Sequence, residues 1–377
     1  MKIPTHSDKR RSARVRTVVA AVASGAAVLA IATPAAAAPA RSLPLPAAVI
    51  PFTSATVTDP AGGTVTVSWS APQARSVRVY DGTDPAHATH YVGASRGTGK
   101  LTVHVPAATR EYFRLVPDRG APLTIGQRSL GLASDPNLRD VGGYRTTSGQ
   151  WVRDGVLYRS AALSLTPADL KVVNALGLRE DADLRTPDEA TATPDIVPAR
   201  AHYDDFNVLG AQGTPAAPIT SEADAQQLLI DGERQMVLSD SAQQAYHDLF
   251  TTLAHTPGAS LYHCSAGKDR TGWATAVLLT LLGVPSDVVM HDYLLSNQYY
   301  FDSPSVQSTL AAMPPATAAI YKHVLDVEPA YLQAGLDQVK ASYGSMTNYA
   351  LRGLRLSPAT LALLRAKLLT GAPTGRA

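Results

Sequence analysis

The stretch LYHCSAGKDRTG, Leu261–Gly272, decides the fold of the larger part of this chain. The short run Ser260–His263 before the cysteine predicts a strand. The apolar run Thr271–Leu282 after it, stopped by Gly283, predicts a helix. A strand, a tight loop and a helix start together make a cradle for a tetrahedral dianion. The backbone N–H groups of Ser265, Ala266, Gly267, Lys268, Asp269 and Arg270 can converge on phosphate oxygens, and the positive end of the helix dipole points the same way. Gly267 allows the chain to turn where a side chain would obstruct it. Arg270 offers a planar fork that can grip two oxygens at once, which Lys cannot do. The same positive field lowers the pKa of the Cys264 thiol and makes a thiolate nucleophile available. A buried structural cysteine is the bland reading, but His263 and a Gly/Lys/Arg loop make a poor core environment. A nucleoside-triphosphate loop is excluded, because Tyr262 stands where its first glycine belongs and Asp269 follows the lysine.

Around this loop, helices alternate with short strands. Thr166-Pro167-Ala168-Asp169 is a capped helix start, and the helix is expected to run to Leu176 and stop at Gly177. Leu178–Leu184 reads as a strand with a charged middle, and Ala211–Pro218 as a loop. Ser241–Ala254, Ser286–Asn297, Pro329–Ser342 and Ser357–Leu369 read as helices. This argues for an α/β domain over residues 126–377, with a central sheet and a helix-rich C-terminal half. From Thr53 to Ile125 the period changes to two. Thr64–Ser70 places Val65, Val67 and Trp69 on one face, and Ser76–Tyr80 alternates likewise and ends at a turn-like Asp81-Gly82. Leu101–Val105 and Glu111–Val116 continue the series, so residues 41–125 read as an all-β sandwich domain with Trp69 and Tyr112 in its core.

Residues 1–40 read as an export signal: a basic start from Lys9 to Arg16, the uncharged run Val18–Ala32, and small residues offering cleavage near Ala38–Ala40. The run is shorter than the ~20 residues a spanning helix needs, and no other stretch approaches that length, so a secreted, extracellular protein without a transmembrane segment after signal removal is expected. The chain of 377 residues is 45% hydrophobic and 17% charged, which fits about two folded domains rather than disorder. Its formal charge is +2, but six of its 33 basic residues and one of its 31 acidic ones lie in residues 1–40, leaving 27 against 30. Bulk charge therefore gives no case for a nucleic-acid partner. One cysteine excludes an intrachain disulfide framework and a cysteine-rich zinc site.

The pattern His-Cys-x-x-Gly-x-x-Arg, at His263, Cys264, Gly267 and Arg270, resembles the signature loop of cysteine-dependent tyrosine-phosphatase-fold enzymes. The full string is similar to that of secreted bacterial tyrosine/lipid phosphatases of the protein-tyrosine phosphatase B type. Further similar motifs occur in the family's order: NLRDVGGY (Asn137–Tyr144), YRSAAL (Tyr158–Leu163), DLRTPDE (Asp183–Glu189), DYLLSN (Asp292–Asn297) and YGSM (Tyr343–Met346). VSWSAP (Val67–Pro72) and TREYFRL (Thr109–Leu115) resemble a fibronectin III or similar immunoglobulin-like module.

The phosphatase resemblance implies a cysteine-phosphatase fold and hydrolysis of phosphotyrosine through a phosphocysteine. In that reading Cys264 attacks phosphorus, Arg270 binds the phosphate, His263 supports the loop, and Thr271 places a hydroxyl near the sulfur. No metal or other cofactor is implied, since the N–H groups and Arg270 supply what a cation would. The general acid stays open: none of the three Trp precedes Pro-Asp, so Asp269 inside the cradle is the first candidate, and Asp205 and Asp204 are the alternatives. Asp183 reads as structural, paired with an arginine. Lys268, a second cation in the loop, suits substrates with more phosphate charge than one phosphotyrosine and extends the reading from phosphorylated protein to phosphoinositide. The competing class is an exported phosphate-recognition or adhesion module without turnover, against which the intact Cys264/Arg270 pair argues.

Overall fold

A computed structural model describes residues 48–58, 63–106, 109–210 and 218–374. The export signal read in residues 1–40 and most of the loop Ala211–Pro218 lie outside the described residues.

The N-terminal region contains the strands β1 (Ser54–Val57), β2 (Thr64–Ser70), β3 (Ser76–Gly82), β4 (His90–Arg96), β5 (Thr98–His104), β6 (Tyr112–Pro117) and β7 (Leu123–Gly126). Among the described residues they form two antiparallel sheets, ordered β1-β2-β5 and β4-β3-β6-β7. Period-two alternation explains the pairing: Val65, Val67 and Trp69 of β2 share one buried cluster with Val77 and Val79 of β3 and Phe113 and Leu115 of β6. Trp69 is a core anchor whose Nε1–H donates to the Arg96 carbonyl at 3.1 Å. Asp81-Gly82 is not a turn but the end of β3, with Asp81 opposite Phe113 and Gly82 opposite Tyr112. Glycine stands there for space: a Cβ would lie 3.0 Å from the Ala88 Cα.

Buried contacts join this region to residues beyond Gly126. Trp151 belongs to the same apolar cluster. The Tyr112 and Tyr158 hydroxyls meet at 2.8 Å, and the Arg110 guanidinium lies over both rings while donating to Asp140 at 2.6 Å.

The sheet that matters for function has five strands among the described residues. They are β8 (Arg139–Asp140), then, after β9 (Trp151–Val152), β10 (Leu157–Ser160), β11 (Glu180–Asp183), β12 (His202–Asp205) and β13 (Ser260–His263). The order is β12-β11-β13-β10-β8, with the first four parallel and β8 antiparallel. The register aligns Ser160, His263, Asp183 and Asp205 in one row at the carboxyl ends of the strands. That edge is where open parallel sheets place their ligands.

The helices are α1 (Pro167–Ala175), α2 (Pro187–Ala192), α3 (Glu222–Leu238), α4 (Asp240–His255), α5 (Arg270–Leu282) and α6 (Ser286–Ser296). After a π turn at Asn297–Phe301 come α7 (Pro304–Ala311), α8 (Pro315–Leu325) and α9 (Pro329–Tyr343). The last are α10 (Met346–Asn348) and α11 (Pro358–Leu368). Thr166 caps α1 by accepting from the Asp169 amide, as its sequence suggests. Helix α5 is the hub: Trp273, Ala274, Val277, Leu278 and Leu279 belong to one buried cluster with residues of α4, α6 and α9, and the Trp273 ring meets that of Tyr349. Each valine or leucine among them, fully removed from water, contributes about 1.5–3 kcal/mol. Helices α2, α3, α7, α8 and the short α10 have no counterpart in the sequence reading.

Candidate active site

Strand β13 delivers the chain to Cys264 and α5 takes it away at Arg270, so the cysteine loop spans the gap between two rigid elements. Three features hold its shape. Gly267 has φ +69°, and a Cβ there would meet the Ser160 carbonyl oxygen at 2.2 Å. The Asn137 side-chain amide donates to the Ala266 carbonyl at 2.8 Å. Arg159 donates to the Gly267 carbonyl at 2.8 Å and is held by Asp292 at 2.9 Å. Both loop carbonyls are thereby tied down on one side, which favours amides facing the other. Asp269 stands at the N-cap of α5 without a side-chain capping bond, so no side chain of its own covers the helix's first amides.

Cys264 is 2% exposed. Burial alone would raise its thiol pKa, but the Arg270 charge, with help from the hydroxyl and amide of Thr271, brings it below the ordinary thiol value. The Arg270 guanidinium makes a bidentate pair with Glu189, at 2.7 and 2.8 Å, and Ser265 Oγ donates to the same carboxylate at 2.6 Å. Burial pushes the Glu189 carboxyl up, and Arg270 with Ser265 overcomes this and holds it well below the carboxylate range. Glu189 is fixed in turn by the capping box of α2, reciprocal with Thr186. Both terminal nitrogens of the fork are thus engaged, Nη1 also lying 3.5 Å from the Leu184 carbonyl and Nη2 3.3 Å from Ser265 Oγ, so the two-oxygen grip expected from the sequence falls to Nε–H and to whatever Glu189 and Ser265 release to a phosphate.

His263 lies under the loop, fully buried. Its Nδ1 is 3.3 Å from the Cys264 carbonyl oxygen, and its Nε2 is 3.4 Å from both Asp181 and Asp195. Burial would lower its pKa, but the two carboxylates outweigh burial and raise it well above the ordinary imidazole value. Asp183 engages Arg185 from both its oxygens and accepts from Tyr203 at 2.8 Å, the arginine pairing read from its position. The imidazolium makes a signed prediction. A group whose folded pKa is raised contributes stability that is complete below its unfolded value, near 6.5, and is lost as pH rises through the folded value. Breaking such a buried pair costs about 3–5 kcal/mol. His263→Asn is expected to be destabilised by that order at pH 6, with the gap to wild type closing as pH rises. Thermal unfolding across pH checks this, and a gap independent of pH would contradict a charged His263.

Lys268 does not project into solvent. It is buried, and its Nζ contacts Asp269 at 2.8 Å. Asp269 therefore sits in the loop with a cation already on it. The alternative acids lie on β12. Asp204 faces His202 at 3.3 Å and also Glu180, whose pKa burial and Asp204 raise to about 8. Asp205 is level with Asp183, and burial together with the Asp183 charge raises its pKa. Among the described residues, neither makes a hydrogen bond or ion pair with the cysteine loop.

Sequence reasoning missed Glu189, Asn137, Arg159 and Glu233. The first three sit inside the motifs DLRTPDE, NLRDVGGY and YRSAAL, where the only signal was the motif itself. Glu233, on α3, is 1% exposed and accepts from the Tyr293 hydroxyl at 3.3 Å; burial, with the nearby Asp269 charge, raises its pKa far above the carboxylate range.

A family model described as "Tyrosine phosphatase family" matches residues 130–370, which includes every residue of this site. The chain belongs to that family. This tyrosine phosphatase is 32% identical over 263 residues to a Cupriavidus necator protein assigned by name to the tyrosine-protein phosphatases; the match covers 66% of this chain and 92% of that one. It is 31% identical over 274 residues to the triple specificity protein phosphatase PtpB of Mycobacterium tuberculosis, covering 62% of this chain and 96% of that one. A protein-tyrosine-phosphatase-type phosphomonoester hydrolase is thus the enzyme class of the chain.

Proposed function

We propose that this phosphatase hydrolyses phosphotyrosine and phosphoinositide monoesters outside the cytoplasm, through a phosphocysteine at Cys264. The observation that carries the proposal is the buried Cys264 at the N-terminal end of α5, where the Glu189-braced Arg270 and Thr271 bring its thiol below the ordinary pKa. In the first step the Cys264 thiolate forms an S–P bond and the P–O bond to the leaving group breaks. The departing oxygen takes a proton from the Asp269 carboxyl. In the second step water attacks phosphorus, the S–P bond breaks, Asp269 takes the proton back, and phosphate leaves. Arg270 and the loop amides stabilise the charge on the equatorial oxygens in both steps.

The Lys268–Asp269 pair puts a second cation and a carboxylate inside the cysteine loop, which are the groups that the wider substrate range and the acid role each need. The name of the M. tuberculosis relative, a triple specificity phosphatase, points in the same direction. Export rests on the sequence of residues 1–40. The division into residues 41–125, a fibronectin III-like module, and residues 126–377, the catalytic domain, rests on the change of period and on the short motifs VSWSAP and TREYFRL.

One substrate panel tests the reading. Asp269→Asn is expected to slow alkyl and inositol phosphates by ~100–10,000-fold and nitrophenyl phosphate far less, since nitrophenolate leaves without a proton. Lys268→Ala is expected to weaken phosphoinositide turnover while sparing phosphotyrosine peptide. Equal losses on every substrate for Asp269→Asn would move the acid to Asp205 or Asp204. An unchanged preference in Lys268→Ala would leave phosphotyrosine protein alone.

A further inference from the structure

Helix α8 ends, and α9 begins, on a group of titratable side chains that the phosphatase chemistry does not use. His323 lies in the last turn of α8, Asp326 caps that end, and Glu328 stands at the N-cap of α9. Each brings one donor atom, and the three lie within 4.8 Å of one another. His323 Nδ1 is 2.8 Å from Glu328 Oε1, and its Nε2 is 3.0 Å from Oε2 of Glu222, the first residue of α3. Asp326 is 5% exposed; its Oδ2 accepts from Lys322 Nζ at 2.8 Å, while its Oδ1 is buried without a hydrogen-bond partner. Gln226 Nε2 also donates to Glu328, at 3.3 Å.

The charge balance of this cluster asks for a cation. Glu222, Asp326 and Glu328 carry three negative charges against the one positive charge of Lys322. Asp326 Oδ1, buried without a partner in the same cluster as His323 and Glu328, is the oxygen that a divalent ion there would satisfy, and the ion's two positive charges would offset the excess of carboxylates. We propose that His323 Nδ1, Asp326 and Glu328 bind a divalent transition-metal ion of the Zn²⁺ type, with Glu222 holding the outer imidazole N–H.

The donor set selects the class of ion. One imidazole with two carboxylates suits Zn²⁺, whereas Ca²⁺ takes six to eight oxygens and Mg²⁺ an octahedron of oxygens and waters. Tetrahedral bonds of ~2.0–2.1 Å put donor atoms about 3.4 Å apart, so a shift of about an ångström in side-chain ends closes the site. The Glu222–His323 contact is already the carboxylate–imidazole arrangement that fixes the tautomer of a metal-bound histidine. The other histidine-carboxylate cluster, Asp183, Asp195 and His263, differs in this respect: Arg185 already occupies both of its carboxylates. The ion would tie the end of α8 to the start of α9 and, through Glu222, to α3.

The test uses the full chain carrying Cys264→Ser, so that the loop thiolate cannot capture the metal. Zn²⁺ is titrated against a chromophoric chelator and bound metal is counted by elemental analysis. One Zn²⁺ per chain is expected, unaffected by equal concentrations of Ca²⁺ or Mg²⁺ and accompanied by a rise in unfolding temperature. His323→Gln and Asp326→Asn are expected to abolish that ion, with folding checked by circular dichroism. Glu222→Gln, on a largely exposed side chain, is expected to weaken binding by about 10–100-fold without a folding risk. Failure of the Cys264→Ser chain to bind Zn²⁺, or unchanged stoichiometry and affinity in the His323 and Glu222 variants, would overturn the proposal.

Discussion

Cys264→Ser is expected to cut turnover of any phosphate ester by a factor on the order of 10⁴ or more, the scale on which loss of a covalent nucleophile acts. Substrate binding should survive. The loop shape depends on Gly267, on Asn137 and Arg159 beneath its carbonyls, and on His263 below, none of which touches the sulfur. A serine hydroxyl lacks the acidity that lets the Arg270 charge and Thr271 generate an anion from a thiol. The measurement is steady-state kinetics on an aryl phosphate beside calorimetric binding of the same ester. Turnover at a tenth of wild type would remove the covalent route.

Arg270→Lys is expected to cost about 2–4 kcal/mol of transition-state stabilisation, or roughly 30- to 1,000-fold in kcat/KM. A lysine retains the charge but loses the fork on which the Glu189 pairing and the aim toward the cradle both depend. Binding and rate should therefore fall together. Glu189→Gln offers a graded comparison, because it weakens the brace while leaving the guanidinium in place. A near-neutral Arg270→Lys would mean that the guanidinium serves Glu189 alone.

Where the side-chain pattern and the burial pattern coincide, the fold could be read from the sequence. Strand β2 shows Val65, Val67 and Trp69 inward because it has one wet face, and α5 reads as a helix because it is apolar and ends at Gly283. Asp81-Gly82 misled because glycine there serves close packing rather than a turn. Helix α3 was hidden because its inward face carries Glu233 beside Ala225, Met236 and Val237, which breaks the apolar stripe. Strand β11, EDAD, is buried along its whole length, and its charges make sense only once Arg185 and His263 are placed against it. The reactive loop was readable for a different reason: strand, cysteine, glycine and arginine are contiguous in sequence. Its braces are not. Glu189 is 81 residues from Arg270, and Asn137 is 129 residues from Ala266, so only the fold brings them together.

The proposed mechanism turns on a covalent phosphoryl-cysteine at residue 264. Rapid acid quench during turnover of an aryl phosphate, followed by mass measurement of the peptide containing Cys264, tests it directly. A peptide heavier by one phosphoryl group is expected, accumulating in wild type and absent from Cys264→Ser. Turnover proceeding at full rate with the phosphoryl group on another residue, or on none, would contradict it.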